Sequence, residues 1–408
     1  MRKPELLVPA SSLEVLKIAV IFGADAVYIG GEAFGLRAKA KNFSGRDMEE
    51  GIAFAHEHGV KVYVTVNILA HNHDLPGVRE YLKELKMLKP DALIIADPGI
   101  FACAREICPE IDCHISTQAN NTNYGTYRFW YSLGAKRVVT ARELSLKEIR
   151  EIRENIPADM EIETFVHGAM CISYSGRCLL SSFLAGRDAN QGACTHPCRW
   201  KYALMEETRP GEYMPVFEND RGTFIFNSKD LCMIGHMDDL MESGIDSFKI
   251  EGRMKTALYV ATVARTYRKA IDDYLESPDK YRENMPWYME QIGHCTYRPF
   301  TTGFFYGKPD QNTQIYEEST YVKEYTYLGY VEEVDGRGFA RITQRNKFTA
   351  GEEIEVMKPD GSNPLAVVRG IYDEEGNPVE SAPHARQRLF ADLGGTAKVY
   401  DILRRKEQ

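Results

Sequence analysis

The chain has 408 residues, of which 44% are hydrophobic and 27% are charged, and this length allows two or three domains with a sizeable core. A net charge of −9 argues against a protein that coats nucleic acid non-specifically, because such binding relies on Lys and Arg to neutralise phosphates. The first residues, MRKPELLVPASS, contain no sustained apolar run of the kind that forms a signal peptide or a membrane span. We therefore expect a globular cytoplasmic protein that does not bind a membrane.

Short apolar runs alternate with amphipathic helical stretches over residues 1–285. The predicted strands are, in order, ELLVPA, AVYIGG, KVYVTVN, ALIIAD, CHIST, RVVTA, EIETFVHG and DSFKIEG. Repeated strand–helix units join parallel strands through right-handed crossovers, so eight of them predict an α/β fold of the (β/α)8 TIM-like barrel type. A doubly wound open sheet is the alternative, but no GxGxxG motif follows the first strand.

The remaining segments have a different character. Residues 168–200 are rich in cysteine and lie between the seventh and eighth predicted strands, and residues 200–225 predict a hairpin insertion. Residues 286–325 are aromatic and polar without a clear period, which favours a linker that wraps the barrel. Residues 326–408 contain short alternating strands separated by DGRG, DGS and EEGN turns, and predict a small C-terminal antiparallel β-barrel domain.

Four of the nine cysteines lie close together in the sequence, at Cys171, Cys178, Cys194 and Cys198. Six, fifteen and three residues separate them, and glycines between them let the backbone fold back and bring the sulfurs together. Four thiolates suit either a [4Fe–4S] cluster or a structural zinc ion, and the irregular spacing does not decide between the two. A third interpretation is that they are buried free thiols.

Four stretches in this region resemble a known signature. ETFVHGAM, GRCLLS, NQGACTHPCRW and KIEGR occur in this order and closely resemble peptidase family U32, the collagenase-like group. The resemblance implies that this chain is similar to proteins once labelled as proteases and now implicated in oxygen-independent hydroxylation. Their implicated substrates are the wobble uridine of tRNA, a cytidine of large ribosomal RNA and the ubiquinone ring.

Several members of this family carry a four-cysteine iron–sulfur cluster, so the resemblance favours a [4Fe–4S] cluster over zinc. Carried over residue by residue, it implies Cys171, Cys178, Cys194 and Cys198 as the ligands. Some relatives take their fourth ligand from further downstream, which makes Cys232 the alternative to Cys198.

Polar residues at predicted strand ends are candidates for catalysis, because barrel enzymes carry their active sites at the carboxyl ends of the strands. Glu163 and His167 lie on the strand before the cysteines, where His167 could act as an acid or base or support the cysteine ligands. Lys249 and Glu251 alternate on one face of the eighth strand, and such charges inside a barrel pair with each other or with a ligand. Arg253 suits a carboxylate or phosphate. Other candidates at strand ends are Tyr28, Asn67, Asp97, Gln118 and Arg142.

Three functions remain open from the sequence. The resemblance favours an enzyme that hydroxylates the wobble uridine of tRNA to 5-hydroxyuridine, with tRNA as its partner and prephenate, a small dicarboxylate, as its co-substrate. The second is a collagenase-like peptidase, although the chain contains neither HExxH nor GxSxG. The third is a partner subunit that works with a related chain in a hydroxylase pair on another RNA or on a quinone ring.

Overall fold

The computed structural model describes residues 3–32, 34–35, 42–171, 173–199, 218–219, 222–223, 229–308 and 321–407. Most of the predicted hairpin at 200–225 lies outside these residues. Within it, two short strands that form an antiparallel pair are described. The strands before the C-terminal region are β1 (Glu5–Pro9), β2 (Ala26–Gly30), β3 (Lys61–Val66), β4 (Ala92–Ile95), β5 (Asp112–Ile115), β6 (Arg137–Val139), β7 (Glu161–Ala169), β8 (Glu218–Asn219), β9 (Gly222–Thr223), β10 (Asp230–Cys232), β11 (Ser247–Ile250) and β12 (Phe300–Thr301).

A closed parallel barrel forms the N-terminal part of the chain. Strands β1 to β7 pair in sequence order, and β11 pairs with both β1 and β7, which closes the circle of eight strands. The predicted (β/α)8 barrel is confirmed, and each of its eight strands falls where an apolar run predicted it. Strands covered by helices are buried on both faces, which is why they read as continuous hydrophobic runs.

Helices cover the outside of the barrel. They are α1 (Leu13–Ile21), α2 (Gly45–Glu57), α3 (Leu75–Leu88), α4 (Pro98–Ile107), α5 (Tyr124–Ser132), α6 (Leu146–Glu154), α7 (Leu180–Ala185), α8 (Met237–Glu242), α9 (Ala257–Glu276), α10 (Pro278–Glu283) and α11 (Met285–Ile292). Local sequence sets their starts: Ser44 with Asp47 and Ser145 with Glu148 form capping boxes at α2 and α6. None of the helices described is both long and apolar enough to cross a membrane.

The barrel sheet continues beyond the circle. Strand β10 pairs antiparallel with the end of β7 and parallel with β12, so the chain between β7 and β11 is anchored to the rim of the barrel. Arg298 and Asp230 fasten this extension, because the buried guanidinium donates to the Asp230 carboxylate at 2.6 and 2.9 Å. Residues 286–325 were predicted as a linker. Their described part contains most of α11 and strand β12, two regular elements that the sequence did not predict.

The C-terminal region is a curled antiparallel sheet, as the alternating pattern predicted. Eight strands pair in the order β16-β15-β20-β13-β14-β19-β17-β18 around a separate apolar core. They are β13 (Tyr325–Val334), β14 (Ala340–Thr343), β15 (Glu353–Met357), β16 (Leu365–Val367), β17 (Gly370–Tyr372), β18 (Pro378–Val379), β19 (Arg388–Asp392) and β20 (Ile402–Lys406).

The sheet packs on the barrel through a buried polar contact. Arg265 of α9 is 2% exposed and donates to the Lys358 carbonyl at 2.8 Å, to Asn363 Oδ1 at 2.9 Å and to Gln291 Oε1 at 2.7 Å. Apolar residues of the sheet, among them Met357, belong to the same core as the barrel helices. Helix α1 adds a second contact, because Glu14 pairs with Arg345 and accepts from the hydroxyl of Tyr327 at 3.3 Å.

Candidate functional site

A cavity of about 430 Å³ opens at the carboxyl ends of the barrel strands. Its walls come from the ends of β2, β3, β5, β7 and β11 and from residues 171–198, which we call the cysteine segment. Pockets of this volume accommodate small-molecule ligands or a single nucleotide base. The predicted location of the site, at the carboxyl ends of the barrel strands, therefore coincides with a real cavity.

Lys249 lies at the floor of the cavity, where a buried glutamate beneath it fixes its ammonium group. The Nζ of Lys249 is 2.6 Å from Glu163 Oε1, and it lies 4.4 Å from the centre of the Tyr28 ring. Glu163 is 0% exposed and also accepts a hydrogen bond from Arg137 at 3.2 Å. Glu163 itself lies beneath the cavity, so it orients Lys249 instead of facing the open space.

Arg253 lines the cavity, and its guanidinium occupies space that a side chain on Gly30 would fill. Its Nη1 donates to Thr65 Oγ1 at 2.7 Å and its Nη2 to Asn42 Oδ1 at 3.4 Å, and its side chain is largely buried. A Cβ atom on Gly30 would lie 2.2 Å from Nη2 of this guanidinium. The glycine at the end of β2 therefore makes room for the arginine that follows β11.

A second arginine lies beside Glu251. Arg142 donates from Nη1 to the Ala169 carbonyl at 2.6 Å, and its Nη2 is 3.3 Å from Glu251 Oε2. Its guanidinium carbon also stands 3.9 Å from the centre of the Phe165 ring. Glu251 is thus paired with Arg142. Together with Lys249 and Arg253 they form the charged wall of the cavity, which carries more cations than anions.

Another part of the cavity lining, which we call the neutral wall, carries uncharged polar side chains. Asn67, beyond the end of β3, donates from Nδ2 to Gln118 Oε1 at 2.9 Å. Ser116, beyond the end of β5, donates from Oγ to the same oxygen at 2.5 Å. All three side chains line the cavity. Of the three, Asn67 and Gln118 were predicted from their positions at strand ends.

All four clustered cysteines line the same cavity. Cys171 is exposed, and Cys178, Cys194 and Cys198 are partly buried, so none of the four is enclosed in the core. Across the described ranges, no three His, Cys, Asp or Glu side chains stand close enough together to hold a metal ion. The chemistry of the donor set suits an iron–sulfur cluster, and binding one would require the segment to draw its thiols together.

Cys232 lies elsewhere. It is buried on β10, its thiol contacts the hydroxyl of Tyr267, and burial raises its pKa to about 11. It is not among the residues that line the cavity. Its burial on β10 therefore separates it from the four thiols of the cysteine segment.

His167 is also separated from the cavity. Its ring is buried between β7 and α9, with the ring centres of Tyr267 and Phe300 at 5.5 and 5.7 Å, and burial lowers its pKa to about 3. The pairing register shifts between Lys249 and Ile250, which turns His167 toward the helices. Its side chain therefore stays neutral near pH 7 and does not face the place where a substrate would lie.

The structure adds residues that the candidate group did not contain. Thr65, Ser116 and Lys255 line the cavity, and Arg137 lies below it. Thr65 of β3 precedes Asn67 by two residues, so alternation along that strand was the signal available for it, whereas Ser116 and Lys255 lie beyond their strand ends. Asp97, by contrast, caps α4 by accepting from the Ile100 amide at 3.0 Å.

Comparison with protein families identifies the chain. The family model described as Peptidase family U32 matches residues 11–315, and a second, Peptidase family U32 C-terminal domain, matches residues 323–404. The chain belongs to peptidase family U32. The U32 signature stretches that surround the cavity are thus part of a match that extends over both the barrel and the C-terminal sheet.

Several curated U32 relatives match most of the chain. The tRNA hydroxylation protein P1 of Bacillus subtilis is 42% identical over 95% of this chain and 91% of its own length. The tRNA hydroxylation protein P of Escherichia coli is 40% identical over 89% of this chain and 88% of its own length. A 23S rRNA 5-hydroxycytidine synthase of Escherichia coli is 37% identical over 67% of this chain and 40% of its own length.

The buried histidine gives a testable dependence of stability on pH. His167 stays neutral in the folded protein down to about pH 3, whereas its ordinary pKa is 6.5, so the unfolded chain binds one more proton between these values. Stability should therefore fall as the pH drops from about 6.5 toward 3, because the unfolded state takes up a proton at this residue that the folded state does not. Urea unfolding of the His167→Gln variant should show a shallower fall than the wild type.

The matched control is His73→Gln, because the side chain of His73 is 80% exposed. This control should unfold with the same pH dependence as the wild type. Parallel curves for wild type and His167→Gln would mean that folding does not lower the pKa of His167.

Proposed function

We propose that this chain is an RNA-modifying enzyme that hydroxylates the wobble uridine of tRNA to 5-hydroxyuridine without molecular oxygen. The observation that carries the proposal is a cationic wall and four cysteines that line one cavity at the carboxyl ends of the barrel strands. Support comes from relatives of similar length that are named tRNA hydroxylation proteins. A relative named as a synthase of hydroxycytidine in ribosomal RNA favours the same reaction class.

The cationic wall suits a small dicarboxylate such as prephenate as co-substrate. Lys249 offers its ammonium group at the floor, and Arg253 offers a guanidinium fixed by Thr65. A planar guanidinium grips a carboxylate through two parallel hydrogen bonds, whereas an ammonium group acts as a point charge. Two cations of different geometry at different depths therefore fit a ligand with two separated carboxylates.

The cysteine segment would hold a [4Fe–4S] cluster through Cys171, Cys178, Cys194 and Cys198. When bound, such a cluster supplies electron transfer next to the substrate. The protein ties this segment to the barrel at Asn120, which donates to the Ser175 carbonyl at 2.9 Å and accepts from Arg177 at 2.7 Å. These bonds keep the loop between the first two cysteines against the end of β5.

The barrel residues prepare the site for charged ligands. Glu163 fixes the ammonium of Lys249, and Arg137 fixes Glu163, so the lysine points at one place on the floor. Glu251 is oriented in the same way by Arg142. Fixed charges of this kind stabilise a bound anion without reorganising when it arrives.

The function is tested by mass spectrometry of tRNA nucleosides from a strain that lacks the gene, with and without the gene restored. We expect 5-hydroxyuridine to disappear in the deletion strain and to return on complementation. Unchanged 5-hydroxyuridine in the deletion strain would contradict the proposal. Cleavage of a collagen-like peptide by the purified protein would instead favour the peptidase alternative.

Removing or displacing the guanidinium of Arg253 should lower activity and leave the fold intact. Arg253→Ala in the complementing gene should reduce 5-hydroxyuridine by roughly tenfold to a hundredfold, because a lost or misplaced binding group has effects of this size. Gly30→Ala should act similarly, since its new Cβ would displace the guanidinium. Arg253→Lys should also be impaired, because an ammonium cannot make the paired hydrogen bonds.

Gly45→Ala is the matched control, because a Cβ atom there would meet no heavy atom within 4 Å. It should support normal hydroxylation. Normal 5-hydroxyuridine with Arg253→Ala, at unchanged protein level and iron content, would remove Arg253 from the site.

The fourth cluster ligand can be assigned by iron content. Protein purified without oxygen should be brown and hold about four iron and four sulfide per chain. Cys198→Ala should lose the colour, because Cys198 lines the cavity with the other three thiols, whereas Cys232→Ala should keep it. Colourless protein with one zinc would contradict the cluster, and the reverse behaviour of the two variants would make Cys232 the ligand.

A further inference from the structure

The neutral wall of the cavity consists of hydrogen-bonding side chains. Asn67 and Ser116 both donate to the side-chain oxygen of Gln118, at 2.9 and 2.5 Å. Asn67 and Ser116 are themselves buried. A buried set of hydrogen-bonding side chains is well defined in orientation, because each bond that is lost would leave a polar atom without a partner.

These two bonds fix which end of Gln118 faces the cavity. Since Oε1 accepts both hydrogen bonds, the Nε2 amide group is the end available to a ligand. Nowhere in the described part of the chain does this Nε2 have a hydrogen-bond partner. The neutral wall therefore offers an N–H donor in the same cavity that Lys249 and Arg253 line.

Gln118 is also held in place by the cysteine segment. Gly176 has a φ of +72°, and a Cβ atom on it would lie 3.2 Å from the Cβ of Gln118. The loop between Cys171 and Cys178 thus packs on the stem of this glutamine. The neutral donor lies beside the segment that carries the cysteines.

We propose that this wall binds the pyrimidine edge of the substrate base, with Gln118 Nε2 donating to O4 of uracil. This inference rests on the proposed function, since it assigns the place of the base in the same cavity. Uracil carries a carbonyl oxygen at C4, whereas cytosine carries an amino group there, so a donor at this position selects uracil.

The position also matters for the reaction. The hydroxylated carbon, C5, is bonded to C4, so anchoring O4 fixes where C5 lies. An uncharged heterocycle suits the amide wall, and an anionic co-substrate suits the cationic wall, so the two ligands do not compete for the same groups. The cavity thus has one wall for each ligand.

Binding of two RNA stem-loops tests the inference, one with uridine and one with cytidine at the first anticodon position. The full-length wild-type protein should bind the uridine loop about tenfold more tightly, the lower end of what one well-placed base contact contributes. Gln118→Met keeps the length of the side chain and its packing on Gly176 but removes the donor. We expect it to weaken binding of the uridine loop about tenfold and leave the cytidine loop unchanged.

Gln118→Glu replaces the donor by an acceptor and should reverse the preference toward cytidine. Asn123→Asp is the matched control, because it makes the same amide-to-carboxylate change at an exposed position where Asp can still cap α5. It should bind both loops as the wild type does.

Two outcomes would overturn the inference and keep the proposed function. These are equal binding of both loops by the wild type, and equal weakening of both by Gln118→Met. Wild-type protein that binds neither loop would count against the proposed function as well, and 5-hydroxyuridine in the complemented strain would then show whether hydroxylation itself survives.

Discussion

A buried network of charges inside the barrel determines how the cavity floor is built. Arg137 is 3% exposed and bonds Glu5, Glu161 and Glu163, while Lys249 bonds Glu163 from above. Burial alone would raise the pKa of Glu5, but the charge and hydrogen bonds of Arg137 outweigh it and lower that pKa. Burying ions is costly unless each is paired, so removing Arg137 would leave three carboxylates without their shared cation. The network is one connected unit from the barrel interior to the cavity.

The network and the two arginines at the rim give the cavity two different sides. Lys249, Arg253 and the Arg142–Glu251 pair form a charged side, and the amides of Asn67 and Gln118 form a neutral one. A hydroxylation that uses an anionic co-substrate on a neutral base needs both kinds of surface. The cysteine segment lies above them and touches the neutral side through Gly176.

Part of the family signature supplies residues of the charged side of the cavity. The stretch KIEGR contains Lys249 on the floor and Arg253 at the rim, and the glycine at the end of β2 leaves the space that Arg253 occupies. Gly30 and Arg253 are more than 200 residues apart in the chain but adjacent in space. A methyl group at Gly30 would therefore displace the guanidinium of Arg253.

The sequence by itself determined the eight barrel strands, the antiparallel C-terminal sheet and the cysteine segment, because hydrophobic period and residue spacing are local properties. It also placed Lys249, Glu251 and Arg253 near one another, since they lie on or just after one strand. Only the tertiary structure decided that His167 faces the helices. A register shift between β7 and β11 reverses the alternation of side chains there, and alternation along one strand cannot show how its partner is paired. The same holds for Cys198 and Cys232: both are cysteines near the rim in sequence, but β10 pairs with β7 and buries Cys232 away from the cavity.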